Sequence, residues 1–233
     1  MTVDLTVLKA DNLVRWQQAR PTRDFSLIAR RLVASKARYQ AVSVHTGVPW
    51  CVIAVIHERE SGQSWSASLA QGDRWDHASV HVPAGRGPFK SWEDAAVDAL
   101  INCAPFGARW KDWSIGGTLA LLEQYNGLGY ARRGVPSPYI WAGTDQYRSG
   151  KYVRDGVYDP DAVDKQLGCA GLLLAMKALD ASIFPSTASV PSVPPPSQAM
   201  PSPEPSITHP AKGSIGDLVA SLIRAVVLTF KRS

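Results

Sequence analysis

A change of composition at residue 184 limits how much of this 233-residue chain can fold into one body. Residues 185–212 consist mainly of Pro, Ser and Ala, and their apolar residues follow no period. Such a segment buries too little apolar surface to offset the entropy lost on ordering, and its prolines favour extended conformations. We therefore expect a globular domain in residues 1–184, a disordered linker over residues 185–212 and a separate tail over residues 213–233.

The pattern of the tail predicts an amphipathic helix, because its apolar residues recur three and four positions apart. They are Ile215, Leu218, Val219, Leu222, Ile223, Val226, Val227 and Phe230. This stripe covers about four helical turns, which is too short to cross a bilayer. We expect the helix to lie on a surface, either an anionic membrane or a protein surface such as the domain itself or a second copy of the tail.

The domain has enough apolar residues to form a core without covalent links. Hydrophobic residues make up 45% of the chain, and its three cysteines cannot all pair. Cys51, Cys103 and Cys169 lie far apart without metal-ligand spacing, so we expect buried free thiols. His57 and His81 have no third ligand at a suitable spacing, and we expect neither a metal nor a cofactor.

The formal net charge of +5 favours a polyanionic partner. The basic residues are scattered, and the chain shows no zinc-finger, basic-zipper or RNA-binding signature, so we expect no nucleic-acid partner. An anionic membrane surface and the bacterial cell wall remain. Residues 1–13 lack the basic start and long apolar run of a secretory signal, so we expect synthesis in the cytoplasm. A substrate in the wall would then require release through a separate membrane lesion.

Apolar spacing and capping residues predict a mainly helical α+β domain. A capping pair, Ser91 and Asp94, predicts one helix start, and Asp159 with Pro160 predicts the start of the last helix. The predicted helices cover residues 25–45, 50–61, 91–103, 115–125 and 159–181. Turn residues followed by the alternating Val80 and Val82 predict a small β-hairpin within residues 64–83.

The predicted helix over residues 50–61 is the best candidate for carrying chemistry. Its interior is almost entirely apolar, and its last turn contains Glu58 and Glu60. Burial disfavours a charged carboxylate, so a glutamate at this end would keep its proton near neutral pH, as the acid of a glycosidase must. The two glutamates point in different directions. The residues alone leave open which of them faces a cleft, and whether both are simply solvated.

Three short motifs resemble, in the same order, those of goose-type lysozymes and soluble lytic transglycosylases. The matching segments are Glu60-Ser61 at a helix end, Gly72-Asp73-Arg74 in a turn and Tyr125-Asn126-Gly127 at the end of a later helix. The resemblance implies a lysozyme-like fold in which Glu60 protonates the glycosidic oxygen between the two aminosugars of peptidoglycan. It also implies that Tyr125 supports Glu60 and that Asp73 is a second catalytic carboxylate.

Most of residues 45–180 also resembles a family of uncharacterised bacterial and phage lysozyme-like proteins, which implies an endolysin-type activity. The short sequence motifs that recur in that family match residues 48–50, 72–73, 80–86, 92–100, 125–130, 137–141 and 150–153 of this chain. In that family a proline and a leucine commonly follow the aspartate, whereas Arg74 and Trp75 follow Asp73 here. Asp76 is therefore the alternative second carboxylate.

Three functions remain open for the domain. In an inverting muramidase Glu60 would be the acid and Asp73 the base that activates water, with the two carboxyl groups roughly 6.5–9.5 Å apart. Without a placed base, the 6-hydroxyl of the substrate attacks instead, and the enzyme is a lytic transglycosylase in which Glu60 is both acid and base. The third alternative is a non-catalytic wall-binding module, because function depends on the site and not on the scaffold.

A saccharide groove combines aromatic platforms with amide and guanidinium donors, because sugars present flat C–H faces and many hydroxyls. The candidate substrate-binding residues are Ser61, Arg86, Tyr125, Asn126, Tyr130, Tyr139 and Trp141, with Trp75 as a further platform. For each aromatic residue the alternative is a place in the hydrophobic core. The expected partner is peptidoglycan, with an anionic membrane as a second partner of residues 213–233.

Overall fold

A computed structural model describes residues 2–70, 72–81 and 83–184. The linker predicted over residues 185–212 and the tail helix predicted over residues 213–233 lie outside these ranges. The described part is mainly helical and has a small two-stranded antiparallel sheet, as the sequence predicts. Its helices are α1 (Leu5–Gln18), α2 (Ser26–Ala34), α3 (Lys36–Thr46), α4 (Trp50–Ser61), α5 (Trp92–Asn102), α6 (Ile115–Tyr125), α7 (Gly129–Arg133), α8 (Pro138–Trp141) and α9 (Cys169–Leu179), with a 3₁₀ turn at Gly107–Arg109.

Helix α4 lies at the centre of the core because its residues 50–56 are apolar on every side. Residues 51–58 are all buried, and helices α2, α3, α6 and α9 pack around them. Gly62 ends the helix with a φ of 59°, a left-handed conformation that favours glycine. The predicted helix over residues 50–61 is confirmed, and so are the three buried free cysteines, of which Cys51 lies in α4.

The remaining helices form the walls around α4. Helix α1 packs on α6, α2 on α9, α3 on α4 and α5, and α8 on α9. The predicted helix over residues 115–125 is confirmed as α6. The capping pair of α5 is confirmed too, because Ser91 Oγ accepts a hydrogen bond from the Asp94 N–H at 3.1 Å. Helix α1 was not predicted, since Asn12 and Trp16 are its only buried residues and its apolar residues form no clear stripe.

Two predicted helices have the wrong extent. Residues 25–45 form α2 and α3 with a break at Ser35, because α2 packs on α9 whereas α3 packs on α4 and α5, and one straight helix would not meet both partners. The last helix begins at Cys169 and not at Asp159. Asp159 Oδ1 instead accepts the N–H groups of Asp161 and Ala162 in a local turn, so the helix-start signal is used for a turn.

The predicted hairpin within residues 64–83 is also misplaced. The described part of that segment holds only an isolated bridge between Ala67 and Arg74. The backbone N–H of Val80 is bound by the side chain of Asp73, so it is not free for a strand ladder. The antiparallel pair lies later, as β1 (Lys151–Arg154) and β2 (Val157–Asp159), joined by a turn at residues 155–156.

Within the described residues no single helix is long and apolar enough to span a membrane. Helices α3 and α4 meet the requirements of length and hydropathy only when they are taken together across a bend of 111°.

Candidate active site

The candidate acid, Glu60, lies in the last turn of α4, where the helix leaves the core. The preceding residues 51–56 are apolar and fully enclosed, so the helix end is held in one place. The N–H of Gly62 donates to the Glu58 carbonyl at 2.9 Å and closes the last turn. The core therefore presents the half-buried side chain of Glu60 at a fixed position.

The carboxyl group of Glu60 receives one side-chain hydrogen bond. Tyr139 Oη donates to Glu60 Oε1 at 2.8 Å, and Tyr139 itself is only 4% exposed. Burial raises the pKa of Glu60, although the Tyr139 hydrogen bond and the nearby Arg59 guanidinium both act to lower it. Since burial dominates, Glu60 holds its proton to a higher pH than a solvated glutamate does, and Oε2 remains to carry that proton.

The structure separates Glu60 from the second candidate, Glu58. Glu58 is buried, and its Oε2 accepts a hydrogen bond from Gln63 Nε2 at 2.8 Å. This pairing closes the turn after α4, so Glu58 has a structural role at the base of the helix end. Glu60, half-buried and bonded by Tyr139, is the better placed of the two to meet a ligand.

The segments of the three motifs converge on the end of α4 although they lie far apart in the chain. A Cβ atom at Gly72 would lie 3.7 Å from the backbone oxygen of Glu60, so the turn containing Gly72 and Asp73 abuts the helix. Tyr125 Oη donates to the Leu69 carbonyl at 3.4 Å, which ties the end of α6 to the same turn. Burial and the nearby charge of Glu60 both raise the pKa of Tyr125.

Asp73 is bound on both of its carboxylate oxygens. Oδ2 accepts the backbone N–H groups of Val80 and His81, both at 2.9 Å, and Oδ1 accepts His81 Nδ1 at 2.6 Å. The hydrogen bonds from His81 keep the pKa of Asp73 below its usual value. A carboxylate stabilised in this way is a weak base, and its geometry is that of a residue that organises the loop.

Asp76, the alternative second carboxylate, is bound just as fully. Arg74 donates to Oδ1 at 3.0 Å and to Oδ2 at 2.5 Å, and His77 Nδ1 lies 2.8 Å from Oδ1. The bidentate bond from Arg74, helped by His77, holds the pKa of Asp76 far below its usual range. Both aspartates of this loop are therefore held in the charged form by donors that already occupy their oxygens.

A buried charge network beneath Tyr139 was not predicted from the sequence. The Arg59 guanidinium lies 4.7 Å from the centre of the Tyr139 ring, and its Nη2 is 3.1 Å from Asp164 Oδ2. Lys151 Nζ lies 3.1 Å from the other oxygen of Asp164. Charge attraction from Arg59 and a hydrogen bond from Lys151 lower the pKa of Asp164 against the opposing effect of burial. The network therefore supports the ring that bonds to Glu60.

The loop after β2 completes the support of the helix end. Gln166 Nε2 donates to the backbone oxygens of Glu58 and Arg59, both at 3.0 Å, and Arg59 Nη1 donates to the Leu167 carbonyl at 3.1 Å. Carbonyl groups in the last turn of a helix lack partners within the helix, and Gln166 supplies one. The only local signal for this arrangement was the charged Arg59 beside two glutamates, and its partners lie more than 100 positions away in the chain.

A cavity of about 640 Å³ opens beside Tyr139. Of the candidate substrate-binding residues it is lined by Asn126, Tyr130 and Tyr139. Asn126 Nδ2 lies 3.4 Å from Ser137 Oγ, and Tyr130 Oη accepts the N–H of Tyr152 at 3.0 Å. This volume falls in the range of small-ligand sites, and the lining combines aromatic rings with amide and cationic groups.

The other candidate substrate-binding residues have structural contacts and do not line this cavity. Ser61 Oγ donates to the His57 carbonyl at 3.0 Å, and Arg86 forms an ion pair with Asp98 of α5. Trp141 is 1% exposed and belongs to the core. Trp75 is partly buried against the core, and its Nε1 donates to the Trp65 carbonyl at 2.8 Å.

His57 is a core residue. It is fully buried, its Nε2 donates to the Ser64 carbonyl at 3.0 Å, and its Nδ1 therefore accepts the hydroxyl of Tyr39, also at 3.0 Å. Burial lowers the pKa of His57 to about 4, so the ring is neutral. Within the described residues no group of three or more His, Cys, Asp or Glu side chains is arranged to hold a metal ion.

No protein-family model, curated protein or solved structure matches this chain. Its function is therefore inferred from the site itself.

Proposed function

We propose that this domain cleaves the glycan strand of peptidoglycan between N-acetylmuramic acid and N-acetylglucosamine, with Glu60 as the general acid on a lysozyme-like scaffold. The observation that carries the proposal is the state of Glu60, a half-buried carboxyl group with a raised pKa at the end of a rigid core helix. A carboxyl group with a raised pKa keeps its proton to a higher pH than a solvated glutamate and can donate it to a glycosidic oxygen as the bond breaks.

The convergence of the three motif segments supports the proposal. The Gly72 turn and the end of α6 both meet the end of α4, although they lie 12 and 65 residues from Glu60 in the chain. Tyr139 donates to Oε1, which leaves Oε2 to deliver the proton. The adjoining cavity supplies the aromatic and amide groups that suit a sugar ring.

A second form of the reaction is favoured by the state of the two aspartates. Asp73 and Asp76 are both held as low-pKa carboxylates by close donors, so neither suits the role of base for an attacking water. In a lytic transglycosylase the C1–O4 bond breaks, O4 takes the proton of Glu60, and the muramyl O6 bonds to C1. The proton of that O6 hydroxyl returns to Glu60. No water is consumed, and a 1,6-anhydro end is formed.

The test is cleavage of purified peptidoglycan by the full chain and three glutamate variants. Glu60→Gln should lower the rate by about 10² to 10⁴, because an amide cannot deliver a proton. Glu58→Gln tests the alternative acid. Glu123→Gln is the matched control, since Glu123 is buried with a pKa raised to about 7 but lines a different cavity. Activity retained in Glu60→Gln, or a folded wild type that binds the wall without cleaving it, would overturn the proposal.

Mass analysis of the fragments separates the two reactions. Transglycosylation gives ends lighter by one water than hydrolysis does, because the 6-hydroxyl replaces water as the nucleophile. We expect the anhydro ends. Hydrolysed ends would show that a base acts in spite of the bonds made by Asp73 and Asp76.

A further inference from the structure

The cavity beside Tyr139 carries an excess of positive charge. Four cationic side chains line it, Arg59, Lys151, Arg132 and Arg154, against two carboxylates, Asp155 and Asp164. A neutral sugar would gain little from these charges. The charge therefore points to a ligand that is itself anionic.

The cationic groups fall into two pairs with different roles. Arg59 and Lys151 both form ion pairs with the buried Asp164, so much of their charge is neutralised within the protein. Arg132 and Arg154 are exposed, and no ion pair with a carboxylate involves them in the described part of the chain. Arg132 makes only a long contact of 3.4 Å from Nη1 to the Gly127 carbonyl. These two guanidinium groups remain available for a ligand.

The same cavity offers contacts for a sugar ring. Tyr130 and Tyr152 meet edge to face with ring centres 5.1 Å apart, and Asn126 presents its amide at the rim. Tyr139 joins this lining to Glu60 through its hydroxyl, so the cavity lies one side chain away from the proposed acid. Glu60 itself does not line the cavity, so the link between the two is this hydrogen bond from Tyr139.

We propose that this cavity binds the muramyl unit and that Arg132 and Arg154 recognise a carboxylate that the unit carries, which neutral N-acetylglucosamine lacks. The proposal rests on the proposed function for the position of the cleaved bond, but the charge preference can be measured without cleavage. The carboxylate is either that of the lactyl ether in a bare sugar or one in the attached peptide. Arginine suits both, because its planar fork matches a carboxylate.

The experiment is an NMR titration of the full chain as the Glu60→Gln variant, which removes turnover. The probes are N-acetylglucosamine, N-acetylmuramic acid, and N-acetylmuramic acid joined to a dipeptide with a free carboxylate. The two anionic probes should bind more tightly than the neutral sugar, and added salt should reduce the difference. Comparison of the two anionic probes shows which carboxylate is preferred.

Arginine variants then identify the groups responsible. Arg132→Gln and Arg154→Gln should each weaken the anionic probes by about fivefold, the size expected of an exposed ion pair, and leave the neutral probe unchanged. Arg31→Gln, an exposed arginine on α2 that lines none of the cavities described, is the matched control and should change nothing. In the active chain the same two substitutions should raise KM for peptidoglycan and leave kcat unchanged.

The proposal is overturned if neutral and anionic sugars bind equally, or if the anionic preference survives both substitutions. If Glu60-dependent cleavage is observed together with this outcome, the proposed function is retained and only the binding proposal is refuted. Conversely, a preference that depends on Arg132 and Arg154 in a chain without cleavage would support the binding site and refute the proposed reaction.

Discussion

Two segments that meet at the end of α4 both carry acidic side chains, but those side chains have different surroundings. At the end of α4, Glu60 is half-buried and receives one hydrogen bond, from Tyr139. In the loop after Gly72, Asp73 receives three hydrogen bonds and Asp76 is clamped by Arg74 and His77. Burial raises the pKa of Glu60, whereas donors lower the pKa values of both aspartates.

The difference indicates that the donors around these three carboxyl groups, more than residue type or place in a motif, set the direction of the pKa shift. A carboxyl group with few donors in a buried place keeps its proton and suits an acid. A carboxyl group with many donors keeps its charge and holds the backbone around it. Two other carboxyl groups, Asp164 and Glu123, extend the comparison, because both are buried and only Asp164 has cationic partners at hydrogen-bond distance.

The largest effect on stability is expected from Asp164→Ala. This change leaves Arg59 buried without its carboxylate and also removes the partner of Lys151. Loss of one member of a buried ion pair typically costs about 3–5 kcal/mol of unfolding free energy. Chemical denaturation measures the loss, with Asp161→Ala as an exposed control in the same loop. A loss no greater than that of the control would mean that the network does not support the helix end.

Glu123→Gln should increase stability at high pH, whereas Asp164→Ala should decrease it. The folded pKa of Glu123, about 7, lies above its ordinary value of 4.5, so its contribution to stability is full below pH 4.5 and is lost as the pH rises through 7. The glutamine variant does not titrate. Relative to wild type it should therefore gain roughly 3 kcal/mol between pH 4 and pH 8. Denaturation curves at both pH values test this, and a difference independent of pH would contradict it.

Tyr139→Phe should alter the pH profile of cleavage. The Tyr139 hydroxyl lowers the pKa of Glu60, so its removal raises that pKa further. In the proposed reaction, activity requires protonated Glu60 and falls as the pH rises through its pKa, so the alkaline limb should move to higher pH. At a pH on that limb, the activity of the variant as a fraction of its own maximum should exceed that of wild type by up to roughly tenfold. This factor corresponds to the loss of one hydrogen bond to a charged group.

The control for this profile is Tyr39→Phe, another buried tyrosine, whose hydroxyl contacts His57 instead. Its alkaline limb should stay in place. Equal movement of the limb in both variants would show that the change comes from a looser core and not from Glu60.

The sequence was sufficient for the parts of the fold that depend on local patterns. Helices α4 and α6 were predicted with their observed bounds, because each has a long apolar run and a clear stop signal at Gly62 or Asn126. Asp159-Pro160 was misleading, since the same residues can begin a turn or a helix. Here Asp159 accepts two backbone N–H groups of a turn, and Gln166 in the following loop binds the end of α4.

Contacts between residues that lie far apart in the chain could not be predicted from local sequence patterns. Tyr139 and Trp141 lie two positions apart in one short helix and were equal candidates, but only Tyr139 points to Glu60, while Trp141 enters the core. Arg59 and Asp164 are separated by 105 positions, and no periodicity relates them. The helix that delivers Glu60 was therefore predictable, and the groups that tune its pKa were not.

The smallest effect on cleavage is expected from Asp73→Asn, which bears directly on the comparison of the two segments. If Asp73 organises its loop, the amide keeps one oxygen acceptor, and the rate should fall by less than about tenfold, well short of the loss from removing a general base. The products should keep their anhydro ends. Hydrogen exchange at the Val80 and His81 amides should become faster, because both donate to Asp73 Oδ2. Asp76→Asn is the matched control, since it lies in the same loop and binds other partners. A loss of 10² or more, together with hydrolysed products, would mean that Asp73 acts as the base in spite of its three donors.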